Sequence, residues 1–327
     1  ALGDERTATQ RLNLAQSFNP AGSVIGTMLA GFLILPKINV ASDEERVTMA
    51  AEQLKAIQSA ELSAVMGPYV GMAAILVVIW ITIALTKMPR ASDAGTAVEF
   101  GPTLSRLVRN PHYAWGVVAQ FFYVAAQICV WTYTIHYVSS IVDGGGGQPL
   151  IDFLEGTGIA GFVGSIHLIE AGSDMSAETI AGVYHVCALI LFLVSRFVCT
   201  GLMRIIRPSQ LLLTLALLAV VLCMVVINSP GLVGVLSLVG VSGCMSLMFP
   251  TIYGIALHGL GDDTKLGGAG LVMAILGGAL FPLLQGWIID AKGPAFSYAL
   301  PLFCFVVVAC YAVFDLRAER QAHGLAV

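Results

Sequence analysis

Amide side chains interrupt the apolar stretches of this chain in two short rows. In the first, Asn13, Gln16 and Asn19 follow one another at every third position, which predicts three amides along one helical face. Each amide both donates and accepts hydrogen bonds, so the row favours either a bond to a neighbouring helix or contact with a polar solute. Gly22 and Gly26 follow at a spacing typical of closely packed helices. Packing and the lining of a cavity both remain open for this row.

The second row combines amides with aromatic rings. Gln120, Tyr123, Gln127 and Trp131 are separated by three or four positions and therefore share one helical face. Amides bond the hydroxyl groups of a sugar, while an aromatic ring covers its C–H face. A belt of aromatic residues at a membrane surface would explain Trp131 and Tyr137, but not two glutamines within an apolar helix. This row favours the lining of a site for a sugar or another polar solute.

Other kinds of chemistry have little support in the sequence. No Asp or Glu lies in the middle of an apolar stretch, and Asp290 and Asp315 are interpreted as helix ends. A carrier driven by protons normally needs a buried carboxylate. The His residues stand apart and the seven Cys show no CxxC spacing, so we predict no metal site, no cofactor and no enzyme. Arg196 is expected to extend to the membrane surface, and His185 to be a packing residue.

These residues lie in an unusually apolar chain. Of its 327 residues, 57% are hydrophobic and 11% are charged, which is less than half of the roughly 25% charged residues of a soluble domain. This composition excludes a soluble enzyme, a disordered tail and a disulfide scaffold. The net charge of −4 offers no basic surface for nucleic acid. The sequence therefore predicts an all-α polytopic protein of the lipid bilayer.

Eight membrane-spanning helices are predicted from apolar stretches near the length of about 20 residues that a bilayer requires. The uncharged region from Pro208 to Gly261 is too long for one helix, and the turn at 228–231 divides it. Pro250 predicts a kink in the second half of this region, and six glycines in the seventh span predict close helix contacts. The predicted spans are 12–35, 61–87, 112–143, 178–203, 208–228, 231–261, 265–290 and 292–315.

The distribution of Lys and Arg predicts the orientation of these spans. If the chain starts in the cytoplasm, twelve of its 16 Lys and Arg residues are cytoplasmic, and Lys37, Arg46, Lys55 and Lys292 are outside. Positive charge collects on the cytoplasmic side of membrane proteins. Both termini are therefore expected to be cytoplasmic.

Three segments resemble the bacterial fucose permease family of the major facilitator superfamily, which also includes glucose/galactose carriers. These are RLNLAQSFNPAGSVIG (11–26), RLVRNPHYAWGVVAQFFYVAAQICVW (106–131) and the region that starts FPTIYGIALHGLGDDTK (249–290). Members of this family have twelve spans in two six-helix bundles. The resemblance implies a major facilitator fold in which the eight predicted spans correspond to helices 5 to 12.

The resemblance also implies the organisation of the chain into domains. Residues 1–86 would be the remainder of the N-terminal bundle, 87–112 the cytoplasmic linker, and 113–327 the C-terminal six-helix bundle. The acids that couple transport to protons in the family, an Asp on the first helix and a Glu on the fourth, have no counterpart in this sequence. The chain is therefore expected to be a fragment that lacks the first four spans.

The function implied by the resemblance is the import of a monosaccharide (fucose, glucose or galactose) with a proton, by alternating access, across the bacterial inner membrane. The protein is expected to be a monomer. The family's cavity residues carry over to Gln16, Asn19 and Trp131, and Phe249 stands where a relative can carry Tyr. Together with the rest of both rows, the expected sugar site comprises Asn13, Gln16, Asn19, Gln120, Tyr123, Gln127, Trp131 and Phe249.

Two alternatives remain for the function. A drug exporter of the same superfamily would have an aromatic and apolar cavity with few amides, which the two amide rows disfavour. A non-functional fragment is the other alternative, because the cavity would lack one wall without the first four spans.

Overall fold

The computed structural model is helical throughout most of the residues that it describes, which are 8–33, 46, 49–86, 100–159, 161 and 176–324. Helices are what the apolar sequence requires, because a backbone that crosses a bilayer has to bond its own polar groups. In chain order they are α1 (Ala8–Gln16), α2 (Asn19–Leu33), α3 (Ala51–Leu85), α4 (Phe100–Arg109), α5 (Pro111–Ile141), α6 (Gly147–Gly156), α7 (Ala177–Leu202), α8 (Pro208–Asn228), α9 (Leu232–Met245), α10 (Met248–Leu257), α11 (Thr264–Met273), α12 (Gly277–Lys292), α13 (Pro294–Ser297) and α14 (Ala299–Gly324).

The chain divides into two compact units. The first consists of the described parts of Ala1–Gly22, Val98–Ala160 and Gly172–Val327, and the second of those of Ser23–Ala97 and Gly161–Ala171. Helix α1 and helices α4 to α14 belong to the first unit, and α3 belongs to the second. The boundaries predicted at residues 86 and 112 stay predictions.

Within the described residues, seven helical segments are long and apolar enough to cross a membrane. They are Ala51–Leu85, Pro111–Gly156, Ala177–Leu202, Pro208–Asn228, Leu232–Leu257, Gly261–Lys292 and Pro294–Ala318, which correspond to the second to eighth predicted spans. The first predicted span, 12–35, is divided between α1 and α2 as far as Leu33, and its last two residues lie outside the described part. Pro20 accounts for this break, because it has no N–H to continue the hydrogen bonds of α1.

Helix α5 is the central helix of the first unit and packs against α7, α10, α12 and α14. The side of α12 that meets it carries glycines. A Cβ atom on Gly277 would lie 2.2 Å from the carbonyl oxygen of Phe121, and one on Gly286 would lie 2.8 Å from the hydroxyl of Tyr133. The close approach predicted from the glycine-rich span is confirmed, and at Gly277 the backbone of Phe121 leaves no room for a Cβ atom.

Tyrosine hydroxyls connect neighbouring helical segments. Five of them donate to backbone carbonyls at 2.8 to 3.1 Å: Tyr113 to Gly267, Tyr123 to Met245, Tyr133 to Pro282, Tyr137 to Val226 and Tyr184 to Leu150. A tyrosine buried in this way contributes apolar area as well as a satisfied hydrogen bond. Tyr137 is 1% exposed, so it is a packing residue and the interpretation as part of an aromatic belt is wrong.

Candidate functional site

Arg196 is a buried cation on α7 and connects three helical segments. It is only 4% exposed. Its Nε donates to the carbonyl oxygen of Ser246 at 2.5 Å, and its Nη1 donates to that of Gln16 at 3.0 Å. Its guanidinium carbon lies 5.0 Å from the ring centroid of Phe192, within the range of a cation–π interaction. The expectation that Arg196 extends to the membrane surface is wrong, because its hydrogen bonds hold it inside the protein.

Two prolines explain why these carbonyls are available. In a continuous helix, the N–H at Pro20 or Pro250 would bond the carbonyl four residues earlier, but proline has no N–H. Those carbonyls belong to Gln16 and Ser246, which are the two that accept from Arg196. The kink predicted at Pro250 is confirmed by the break between α9 and α10.

The row of residues on α5 divides into two kinds. Gln120 is fully buried, and neither its Oε1 nor its Nε2 has a hydrogen-bond partner among the described residues. The indole Nε1 of Trp131 is likewise buried without a partner there. Tyr123 is buried as well, but its hydroxyl already donates to the carbonyl of Met245 at 2.9 Å. Gln127 is half-buried. Gln120 and Trp131 are thus the members with buried polar atoms that lack a hydrogen-bond partner among the described residues.

Aromatic rings connect this row to the neighbouring helices. The ring of Trp131 meets that of Phe192 on α7 edge to face, with centroids 5.0 Å apart. The ring of Phe249 meets that of Tyr123 at 6.3 Å and stacks on Tyr253 at 6.4 Å, with 14° between the last two planes. Phe249 is half-buried. The predicted site residues Tyr123, Trp131 and Phe249 therefore lie in aromatic contacts that join α5 to α7 and α10.

The amide row at the start of the chain is not continuous. Asn13 is fully buried, and its Nδ2 donates to the carbonyl of Thr9 at 2.9 Å and approaches the hydroxyl of Thr251 at 3.4 Å. Gln16 is half-buried and Asn19 is exposed, and the break between α1 and α2 lies between them. Asn13 therefore joins α1 to α10, as the packing interpretation of this row requires.

Arg196 brings several of the predicted site residues into one network. Through Phe192 it is joined to Trp131, and through its own hydrogen bond to the backbone of Gln16. Its partner Ser246 is adjacent to Met245, whose carbonyl accepts from Tyr123. No contact in the described structure places Asn19, Gln120 or Gln127 in this network.

Sequence reasoning missed the face of α7 that carries this network. His185, Leu189, Phe192 and Arg196 follow one another at intervals of four, three and four residues, so they share one face. The Nδ1 atom of His185 is buried and has no partner in the described part of the chain. The same helical spacing that identified the row on α5 would have identified this one.

Asp315 also differs from its interpretation as a helix end. Helix α14 continues beyond it to Gly324, and its side chain is 6% exposed. One carboxylate oxygen lies 2.5 Å from Nε2 of His112, and the other accepts a short hydrogen bond from Ser209. Asp315 therefore connects the N-terminal ends of α5 and α8 to α14.

No family model matches the chain. Over 326 residues it is 37% identical to the L-fucose-proton symporter of Haemophilus influenzae, which covers 95% of this chain and 68% of that protein. The chain belongs to the fucose–proton symporter family. It is also 32% identical to the L-fucose-proton symporter of Escherichia coli, and 28% identical to a glucose/galactose transporter of Brucella abortus. It covers 66% of each of these two relatives, so it spans about two thirds of the length of the proteins it matches.

A solved structure supports the same assignment. The major facilitator superfamily transporter FucP in its outward conformation matches with a TM-score of 0.77 and 32% identity, over 96% of this chain and 70% of that one. This match and the helical structure confirm the prediction of an all-α membrane protein with a major facilitator fold. The named relatives are transporters and not enzymes, which agrees with the prediction for this member of the family.

Proposed function

We propose that the protein imports a monosaccharide with a proton across the bacterial inner membrane. Two relatives of this chain are named L-fucose-proton symporters, at 37% and 32% identity, and another is named a glucose/galactose transporter. Fucose is therefore the first sugar to test, followed by galactose and glucose. The substrate is neutral and rich in hydroxyl groups, which suits amides and aromatic rings better than it suits a cluster of charges.

The unpartnered side chain of Gln120 is the observation that carries this proposal. A buried amide without hydrogen bonds is unfavourable by about 1–3 kcal/mol. Sugar hydroxyls supply both the donor and the acceptor that the amide needs. The buried Nε1 of Trp131 lies on the same helical row and offers a further donor. We propose that these two residues, with the half-buried Gln127, line the part of the sugar site that α5 contributes.

The remaining predicted residues have a supporting role in this proposal. The hydroxyl of Tyr123 donates to the carbonyl of Met245. The amide of Asn13 donates within α1 and approaches Thr251 on α10. Both side chains therefore stabilise helix packing. Phe249 presents an apolar surface beside the site, and Gln16 and Asn19 belong to the wall that residues 8–22 supply. We propose that α1 and α2 form one broken span, which brings the total to eight and matches helices 5 to 12 of the family.

Alternating access then gives Arg196 a mechanical role. We propose that residues 1–86 belong to the N-terminal bundle, 87–112 to the linker and 113–327 to the C-terminal bundle. Under this assignment the bond from Arg196 to Gln16 joins the two bundles, and so does the contact of Asn13 with Thr251. Both have to break when the bundles separate at this level. The bond of Arg196 can re-form because the carbonyl of Gln16 has no helical partner.

Transport of a proton with the sugar requires a carboxylate that can bind and release the proton. Asp315 does not suit this role in our proposal, because His112 and Ser209 already bond its two oxygens. We therefore propose proton coupling for the transporter without assigning it to a carboxylate of the described residues. We further propose that the protein acts as a monomer and that both termini are cytoplasmic, since eleven of the 16 Lys and Arg residues then lie on that side, with Arg196 buried between the helices.

Reconstituted vesicles test the proposed function. One set of vesicles contains the transporter purified from its native membrane, and a second set contains the 327-residue chain. The external pH of each set is followed after addition of fucose, galactose or glucose. Sugar entry with a proton makes the medium more alkaline. Alkalinisation by the native protein alone would assign transport to a longer chain. Drug-dependent proton movement without any response to sugar would contradict the proposal in favour of an exporter.

A further inference from the structure

Helix α4 presents three different faces. Thr103 and Leu107 are 4% and 1% exposed, so they face the protein. The side chains of Phe100, Leu104 and Val108 follow at every fourth position and are 64%, 42% and 65% exposed. We call these three residues the apolar stripe. Helix α4 therefore packs against the protein along one face and leaves an adjacent apolar face exposed.

The third face of α4 is polar and basic. Ser105, Arg106 and Arg109 are exposed on it. Arg106 makes a two-pronged ion pair with Asp263, at 2.9 Å from Nε and 2.7 Å from Nη2, so it fixes α4 to the segment before α11. Arg109 has no ion pair within the described residues. An amphipathic helix with a basic polar face is typical of segments that lie in the headgroup region of a membrane.

The core fixes the direction in which the apolar stripe points. Leu107 belongs to a buried cluster with Tyr113, Ala256 and Leu271, which come from α5, α10 and α11. This packing and the ion pair of Arg106 hold α4 at two points, so the helix cannot rotate to hide its stripe. The stripe stays uncovered by the described residues of the unit to which α4 belongs.

The position of α5 places α4 at the depth of a membrane surface. Asn110 separates the two helices and caps α5, where its Oδ1 accepts from the backbone of His112 and Tyr113. Trp115, in the second turn of α5, is 50% exposed, and His136 near its other end is also exposed. These two residues are about 32 Å apart along the helix, close to the roughly 30 Å thickness of the bilayer core. Asn110 and α4 then lie just outside that core.

We propose that α4 binds the surface of an anionic phospholipid bilayer. Phe100, Leu104 and Val108 insert between acyl chains, and Arg109 faces lipid phosphates. The partner is lipid because α4 precedes a membrane-spanning helix directly, and because its uncovered face is apolar next to a basic one. This inference depends on the membrane location of the protein and not on the sugar that it carries.

Spin labels on two neighbouring residues test this proposal in the full transporter. Leu104→Cys lies in the stripe, and Ser105→Cys, its matched control, lies on the polar face. The exposed Cys310 is first replaced by Ser in both variants, and labelled protein without a new Cys gives the background. In nanodiscs, oxygen reports contact with acyl chains, and a water-soluble nickel complex reports contact with water. We expect residue 104 to be accessible to oxygen and residue 105 to nickel.

If water or protein contacts the apolar stripe instead of lipid, the spin labels give different results. A label at residue 104 that is accessible to nickel means a solvated face and overturns the proposal. A label shielded from both reagents means that protein covers the stripe, which also overturns it. The anionic part is tested by Arg109→Gln in nanodiscs with and without phosphatidylglycerol. We expect this variant to move residue 104 toward water only when phosphatidylglycerol is present, and equal depths in both lipids would contradict that part.

Discussion

Nε of Arg196 donates to the carbonyl oxygen of Ser246 at 2.5 Å, at the point where Pro250 leaves that carbonyl without a helical partner. The same side chain bonds the carbonyl of Gln16, which Pro20 leaves unpaired. One buried cation thus satisfies two helix breaks from different parts of the chain. Kinked membrane helices are tolerated where other groups satisfy the freed carbonyls, and Arg196 does this for both.

Replacement of Arg196 by Gln should destabilise the protein. Each carbonyl left without a partner in the interior costs about 1–3 kcal/mol, and the shorter side chain reaches at most one of them. We expect a clearly lower melting temperature in detergent, measured by the intrinsic fluorescence of the protein. Arg204→Gln is the control, because Arg204 is exposed in the turn after the same helix. Equal melting temperatures for both variants would mean that the two bonds contribute nothing to stability.

The spans were largely predictable, whereas the partners of Arg196 were not. Apolar length is dictated by the bilayer and can be read locally, so the second to eighth spans each have a helical counterpart. The apolar pattern predicts a continuous first span, 12–35, so the break at Pro20 is a feature that was not predicted. The bond from Arg196 to Gln16 joins residues 180 positions apart. No local pattern contains such a pairing, because it depends on how α1 and α7 pack.

The candidate site shows the same division. Helical spacing correctly placed Gln120, Tyr123 and Trp131 on one helix, but it could not show that Tyr123 has a backbone partner while Gln120 has none. Burial and partner choice depend on the neighbouring helices. The His112–Asp315 pair, 203 positions apart, was missed for this reason, and Asp315 was interpreted as a helix end.

Replacement of Gln120 by Leu should separate stability from sugar binding. The amide has no partner in the described structure, so its loss should leave the melting temperature of the sugar-free protein unchanged or raised. If sugar supplies the missing hydrogen bonds, the variant should lose the rise in melting temperature that saturating sugar gives the native protein. Both quantities come from melting curves with and without fucose.

A second buried glutamine provides the control for that experiment. Gln285 is fully buried on α12; its Nε2 donates to the hydroxyl of Ser297 at 3.1 Å, while its Oε1 has no partner among the described residues. Gln285→Leu should lower the melting temperature and keep the response to sugar. A full sugar response in Gln120→Leu would remove Gln120 from the proposed site.

Replacement of Gly277 by Ala should disturb the packing of α12 on α5. The added Cβ would lie 2.2 Å from the carbonyl oxygen of Phe121, and a backbone atom cannot move aside as a flexible side chain can. Overpacking of this kind costs about 1–3 kcal/mol. Gly182→Ala on α7 is the control, because no atom lies within 4 Å of its new Cβ. That change should stabilise by roughly 0.5–1 kcal/mol, so thermal unfolding should move in opposite directions for the two variants.

The pair of His112 and Asp315 should behave as one unit in a double-mutant cycle. Removing either partner leaves a polar group in the interior without its hydrogen bond, which costs about 1–3 kcal/mol, and the partial exposure of His112 favours the lower end. Asp315→Ala also leaves the hydroxyl of Ser209 without its acceptor. We therefore expect His112→Ala to be destabilising alone and to add little in the Asp315→Ala background. His258→Ala, at an exposed position, should change little in either background. Additive effects of His112→Ala and Asp315→Ala would show that the 2.5 Å contact has no stabilising role.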